Sequence, residues 1–525
     1  MLRVHAPRTA STTGPVPRWL TALALPAVIA GFGVLCLRYV PESVDDAYIT
    51  LRYARHLAAG DGLLFNTAGV RVEGFSNFAW VVLLATLQKL AIPPVLAMKG
   101  LSIAAGLWTL LMIFRAGRSL FGADPPALLA CALFGASSFH ALWATDGLET
   151  MFFAALIATA VYLLVRMIPA GSVRPFTWRD GVGPGIVLVL LCLTRPEGVL
   201  YAMLLSLCLV AGPVSSRKPA LLMLVMIFVT VLALTLFRLS YFGHLLPNTA
   251  ASKLHPGFLM SRQGIKYLLL YARDTGILFA ALALVGAIAA AVRRQALPLV
   301  VTIGAGVFFI ILAGGDFMWG YRFVAHVAAP LALLAVIGLE VVQRRWRLST
   351  PATAMLGLAC VAVVGVCTFR ALPSRAPLFH VGRVGTSVNF RVANYLEGGR
   401  PSPSDWILLS EAGIIPYGVD MQVYDYLGLL SPYREACPGG APNLRAMFRH
   451  SPRYVLLTES LGRDGTWSGR LPPDRAILED PFFREHYREK QEFVIPSNGD
   501  LLDRLYYRSD RSRLEVSFVL FERTS

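Results

Sequence analysis

Eleven apolar stretches, separated by loops alternately rich and poor in arginine, constrain this chain more than any other feature. They fall at about 19–37, 97–114, 125–143, 150–166, 182–194, 198–212, 219–237, 275–292, 297–312, 324–342 and 351–369. A straight span takes ~20 residues, so the shorter stretches have soft limits, and the two on either side of position 195 read as half-helices. Arg115 and Arg118, then Arg166, Arg174 and Arg179, then Arg217 and Lys218, then Arg293 and Arg294, then Arg344, Arg345 and Arg347 occupy alternate loops. Basic loops stay in the cytoplasm, so the amino terminus is expected there, and an odd number of spans puts the carboxyl-terminal part outside. The expected fold is mainly α: a polytopic membrane helix bundle of about 11 transmembrane helices, residues 1–370, with a C-terminal extracytoplasmic α+β domain, residues 371–525.

Charge supports that division. The net charge is +16, yet residues 371–525 hold 19 basic and 19 acidic groups, so the excess belongs to the membrane part, where topology explains it. Nucleic-acid binding is not required. Six of the seven cysteines lie in apolar stretches, and neither they nor the scattered histidines have metal-ligand spacing, which argues against a zinc site. Residues 38–96 form a long first outer loop, in which 47–58 reads as a helix lying on the membrane surface and 78–90 as a short apolar helix. The tail contains strand-like runs at 406–409, 454–458 and 516–522.

Polar groups gather in the loops on the arginine-poor face. They are Asp45-Asp46; Glu73 with Asn77; Asp146 and Glu149; Arg195 and Glu197 around Pro196; His244, Asn248 and Lys253; and Asp316 with Arg322. Carboxylates and cations converging there suggest a polar cavity. In it Arg195, Lys253 and Arg322 could hold a phosphate, and a carboxylate could take a proton from a hydroxyl nucleophile. Plainer readings stand beside these. Asp45 could cap the helix that follows, Asp146 and Glu149 could cap the one beginning at Thr150, and Arg195 could pair with Glu197. His244 could be an ordinary loop histidine, and Lys253 could meet lipid headgroups. The six-residue offset of Asp316 and Arg322 suits a tight loop presenting both inward.

These residues carry a resemblance. Asp45-Asp46-Ala47-Tyr48-Ile49-Thr50-Leu51-Arg52-Tyr53, Gly62-Leu63-Leu64-Phe65-Asn66 and Val72-Glu73-Gly74-Phe75-Ser76-Asn77 open an ordered series of motifs. It continues through Gly147-Leu148-Glu149-Thr150, Thr194-Arg195-Pro196-Glu197-Gly198, Leu246-Pro247-Asn248-Thr249, Gly314-Gly315-Asp316-Phe317-Met318 and Arg322-Phe323. In the tail it includes Ser410-Glu411-Ala412-Gly413-Ile414-Ile415-Pro416-Tyr417 and Asp425-Tyr426-Leu427-Gly428-Leu429. The series resembles the GT-C class of integral-membrane glycosyltransferases, and within it the terminal arabinofuranosyltransferases of actinobacteria and their flagellar-motor-control relatives. Glu411 departs from the pattern, since the resemblance leads one to expect Asp there.

The resemblance implies transfer of a sugar, arabinofuranose first, from a polyprenyl-phosphate donor to a cell-envelope glycan, lipid or protein acceptor on the outer face of a bacterial inner (plasma) membrane. It implies Asp45 as catalytic base, Asp46 as second choice and Asp316 as partner, with Glu411 among the substrate-contacting groups. No obligatory cofactor is expected, although Asp45 and Asp46 could ligate a divalent cation. The competing expectations are a transferase of another polyprenyl-linked sugar and a non-catalytic membrane scaffold.

Overall fold

Residues 18–168, 176–210, 216–248, 258–316, 318, 320–372, 381–383, 387–432, 442–461, 467–495 and 516–524 are described in the computed structural model of this protein. Apolar stretches become helices at Arg18–Tyr39, Pro94–Phe121, Asp124–Gly135, Thr150–Met167, Val182–Thr194, Gly198–Val210, Arg217–Phe242, Ile277–Ala290, Leu297–Ala313, Ala328–Trp346 and Thr350–Ala371. Among the described residues five helices are individually long and apolar enough to cross a membrane. A sixth span arises if the pair Ser261–Thr275 and Ile277–Ala290, bent by 116°, counts as one, and shorter apolar helices pack between them.

The break at position 195 has a local cause. A residue before proline is driven from the helical region, and Arg195 sits at φ −151°, ψ 147° ahead of Pro196. The helix Val182–Thr194 therefore ends there and Gly198–Val210 starts afresh. Elsewhere small residues set the spacing. Gly286 and Gly338 face each other where Ile277–Ala290 crosses Ala328–Trp346, and a Cβ on either would fall on a backbone oxygen of the other helix. With hydrocarbon on both sides of the comparison, such close backbone contact holds helices together better than apolarity does.

The helix Asp45–Ala59 in the outer loop corrects one expectation. It does not lie on the surface but is covered from two sides, with Ala47, Tyr48, Leu51, Arg52, Tyr53 and Ala54 all buried. Tyr48, Leu51 and Ala54 join the apolar core of the bundle, while Tyr53 joins the core of the tail. The helix ends at Gly60, whose φ of 95° lets Asp61 N–H reach back to His56 O at 3.0 Å.

The tail forms a mixed six-stranded sheet. Its strands are β3 (Trp406–Leu409), β4 (Gln422–Asp425), β5 (Tyr454–Leu461), β6 (Trp467–Gly469), β7 (Tyr487–Ile495) and β8 (Val516–Arg523), in the order β4-β3-β5-β8-β7 with β6 beside β5. β3 runs parallel to β4 and β5, and β8 runs antiparallel to β5 and β7. A separate antiparallel pair, β1 (Glu42–Val44) with β2 (Val381–Arg383), joins the start of the outer loop to the start of the tail. One face of the large sheet shares its core with the loop, because Tyr53, Leu63, Phe65 and Phe75 pack into the same cluster as Ile407, Val423 and Phe518. The tail is therefore not a self-contained apolar unit.

Candidate active site

Asp45 opens its helix but does not cap it. The N-cap position is Val44, and no side chain accepts the first N–H groups of this helix. The Asp45 carboxylate turns instead to the tail. Oδ1 accepts from Asn389 Nδ2 and from Ile414 N–H, both at 2.8 Å, and Oδ2 accepts from Gly413 N–H at 2.9 Å. Gly413 is required for this approach, since a Cβ there would fall on the Asp45 carbonyl oxygen. Burial pushes Asp45 up to about 6, against the pull of these donors. Glu411 lies beside it, and burial together with the Asp45 and Asp46 carboxylates holds its carboxyl well above the usual range.

Asp46 differs from its neighbour. It is half-buried and takes no hydrogen bond or ion pair from any described residue. One helical turn on, on the same face, Thr50 Oγ1 accepts from Asn77 Nδ2 at 3.0 Å. Asn77 Nδ2 also donates to Glu149 Oε2 at 2.8 Å, leading into a second, deeper group of charges.

That group comes from the loops between helices. Arg195 donates to Glu149 through Nη1, and to Glu197 Oε1 through Nε at 2.5 Å. Arg322 Nε stands 2.6 Å from Asp316 Oδ2, an ion pair by distance whose angle does not make a hydrogen bond. All five side chains are at least nine-tenths buried. Asp146 is fully enclosed. Its Oδ1 accepts from Leu148 N–H at 3.3 Å, Oδ2 has no partner, and burial raises its carboxyl well above the usual range. The capping reading of Asp146 and Glu149 does not describe what their side chains do; the pairing of Arg195 with Glu197 does, with Glu149 added.

Some residues singled out in the sequence sit elsewhere. Glu73 pairs with Arg238, Nε to Oε1 at 2.9 Å, and Asn248 donates to Ser431 O at 2.8 Å, so both tie loops to their surroundings. His244 is exposed on the turn after Arg217–Phe242. Lys253 lies outside the described residues. Of the three cations expected to hold a phosphate, Arg195 is already engaged by two carboxylates. Arg322 makes no hydrogen bond from its terminal nitrogens to a described residue, and its guanidinium lies 5.2 Å from the centre of the Phe323 ring.

Several contributors were not singled out. Lys99, within the helix Pro94–Phe121, donates from Nζ to Val40 O at 2.9 Å, Glu42 O at 2.5 Å and Thr145 O at 2.8 Å, clipping the start of the outer loop beside Asp146. Arg52 donates to Phe65 O at 2.8 Å, Met421 O at 2.6 Å and Pro416 O, locking the tail. His326 is wholly buried 3.9 Å from Glu197 Oε1, with neither ring nitrogen hydrogen-bonded. A lysine and an arginine that residue patterns bury are costly unless used, which is the signal that could have found Lys99.

A divalent cation, which the sequence allows at Asp45 and Asp46 without requiring one, would have to displace existing hydrogen bonds. Three N–H donors already occupy the Asp45 oxygens, and among the described residues no three His, Cys, Asp or Glu side chains are grouped to hold an ion.

With this geometry in view, comparison with known proteins places the architecture. ArnT from Cupriavidus metallidurans, solved bound to undecaprenyl phosphate, matches with a TM-score of 0.56 over 96 % of this chain and 98 % of its own, at 12 % identity. The fold is that of the GT-C integral-membrane glycosyltransferases, a helix bundle followed by a C-terminal domain containing a sheet.

The particular resemblance is to the terminal arabinofuranosyltransferases of actinobacteria. The chain is 28 % identical over 361 residues to the terminal β-(1→2)-arabinofuranosyltransferase of Mycobacterium tuberculosis, covering 61 % of this chain and 56 % of that protein. It is 26 % identical over 391 residues to the protein of the same name from Corynebacterium glutamicum, covering 65 % and 55 %. The chain spans about half the length of these relatives. No model of a protein family matches it.

Proposed function

We propose that this protein is a polyprenyl-phosphate-dependent glycosyltransferase acting at the outer face of the membrane. It moves a sugar, arabinofuranose by its likeness to the actinobacterial enzymes, onto a glycan, lipid or protein acceptor of the cell envelope. The observation that carries the reading is the contrast between the two adjacent carboxylates. Asp45 is occupied by the tail, whereas Asp46 has no hydrogen-bond or ion-pair partner among the described residues.

In the reaction, an acceptor hydroxyl oxygen attacks the anomeric carbon and the bond from that carbon to the donor phosphate breaks. The hydroxyl proton passes to Asp46, and the phosphate leaves with the bonding electron pair. Arg322, whose terminal nitrogens bond no described residue and whose charge Asp316 holds in place, meets the negative charge that develops on the leaving phosphate. Arg195, held by Glu149 and Glu197, fixes the loops around this group. Asp45 is reassigned from base to positioning residue, since it presents Asp46 by holding the start of the helix against the tail. A divalent cation, should the reaction use one, would have to be bound with a rearranged Asp45.

The test supplies membranes containing the full chain with polyprenyl-phosphate sugars, one sugar at a time, and a cell-envelope glycan acceptor. Transfer from the arabinofuranosyl donor is expected, falling by roughly 10²–10⁴-fold in Asp46→Asn, the range for loss of a general base. Well-folded protein that transfers no sugar, or Asp46→Asn at the wild-type rate, would overturn the reading.

A further inference from the structure

Away from the ionic site, a groove of about 580 Å³ runs along the flank of the bundle. One wall is the first helix, through Val28, Gly31 and Leu35; Ala132 and Gly135 form the floor, and Phe369 of the helix Thr350–Ala371 closes the other side. Small residues hollow it out. Gly31 is exposed, and a Cβ there would meet nothing within 4 Å.

Arg38 stands at one end. Its guanidinium lies 4.4 Å from the centre of the Phe369 ring, and Arg370 follows next in the chain. Both arginines are exposed, and neither forms an ion pair with a described residue. They sit at the end of the bundle that carries the tail, since Arg38 leads into β1 and Arg370 precedes β2, its partner strand. The arginine-rich loops lie at the other end. Arg38, without an ion-pair partner among the described residues, therefore stands at the mouth of an apolar slot, and Arg370 is one residue beyond the ring that closes it.

We propose that this groove binds one anionic phospholipid of the surrounding leaflet, with an acyl chain in the slot and its phosphate between Arg38 and Arg370. The dimensions select this occupant. From Val28 to Arg38 the helix rises about 15 Å, which is half of a ~30 Å hydrocarbon core and so the depth of one leaflet. An acyl chain fits that length, whereas a polyprenyl chain overruns it. The site is separate from the one proposed for glycosyl transfer and stands or falls without it.

Native mass spectrometry of the detergent-solubilised full chain tests the site, with phosphatidylglycerol and phosphatidylcholine of identical chains added in turn. Wild-type protein should retain one phosphatidylglycerol with an affinity about 30-fold above that for phosphatidylcholine, the ratio expected from two arginines near an anionic headgroup. Arg38→Gln with Arg370→Gln should erase the preference while leaving weak binding of both lipids. Gly31→Phe, whose Cβ meets nothing within 4 Å and whose ring would fill the slot, should remove the tightly held lipid altogether at unchanged thermal stability. Equal binding of the two lipids by wild-type protein, or a preference that survives the double substitution, would overturn the proposal. So would displacement of the phosphatidylglycerol by equimolar undecaprenyl phosphate, which would give the slot to the isoprenoid.

Discussion

The carboxylate of Asp45 accepts the backbone N–H of Ile414 at 2.8 Å, a hydrogen bond that closes 369 residues of chain. Because the Gly413 N–H and Asn389 converge on the same carboxylate, one side chain of the outer loop fixes the first turn of Ile414–Gly418 in the tail.

Asp45→Ala should loosen that joint. It strands three buried donors, each at a cost of about 1–3 kcal/mol, so the apparent Tm in detergent should fall and limited proteolysis should release the tail earlier. A variant with unchanged Tm and proteolytic pattern would show that the joint contributes little.

The same residue predicts a pH dependence. Its pKa is 3.8 ordinarily and about 6 here, so the folded chain binds this proton more tightly than the unfolded chain does. The resulting stabilisation, roughly 3 kcal/mol at most, is fully present below 3.8 and is lost as pH rises through about 6. Wild-type Tm should therefore decline across that window more steeply than the Tm of Asp45→Asn, which has no proton to lose. Parallel profiles would assign the slope to other carboxyls.

Arg322→Lys keeps a charge beside Asp316 but withdraws the terminal nitrogens, which bond no described residue. Transfer should fall by about 10²-fold in kcat/KM, the scale of losing one donor to a developing charge, with Tm nearly unchanged. Arg322→Gln should instead unfold the protein, because it leaves Asp316 charged and unpaired in the interior, which costs about 3–5 kcal/mol. Comparing kinetics and Tm for the two variants separates a contact to phosphate from a purely structural ion pair.

Much of this was legible in the sequence, and the remainder follows a physical pattern. The half-helices on either side of Arg195 follow from Pro196 alone, and the Asp316–Arg322 pair follows from their short separation. The helix Asp45–Ala59 was legible as a helix but not in its burial. Its charges at Arg52 and Arg55 resemble a solvated face, and only the distant Pro416, Tyr417 and Met421 carbonyls reveal that they point into protein. Asn389 was invisible for the same reason, and a lysine inside an apolar helix marks Lys99 without revealing its partners, since these lie 344 and up to 59 residues away and no local spacing encodes such contacts.

Orientation can be tested at exposed positions. The side chain of Asp61 is 46 % exposed and Arg294 is also exposed, whereas Asp146 is buried and would not report. An impermeant thiol reagent should label Asp61→Cys in intact cells and Arg294→Cys only after permeabilisation. The opposite pattern would invert the topology.

The core shared by the outer loop and the tail also bears on biosynthesis. Residues 53–75 leave the ribosome before most of the helix bundle, but Ile407, Val423 and Phe518, which complete their cluster, emerge only after all of it. Until then Tyr53, Phe65 and Phe75 lack their partners, and the carbonyls that satisfy Arg52 at Pro416 and Met421 do not yet exist. A nascent chain of this kind offers chaperones and membrane proteases a long interval in which to act. Ending translation at residue 375 would make that interval permanent, so such a protein should be degraded or aggregate in the cell rather than accumulate as a helix bundle.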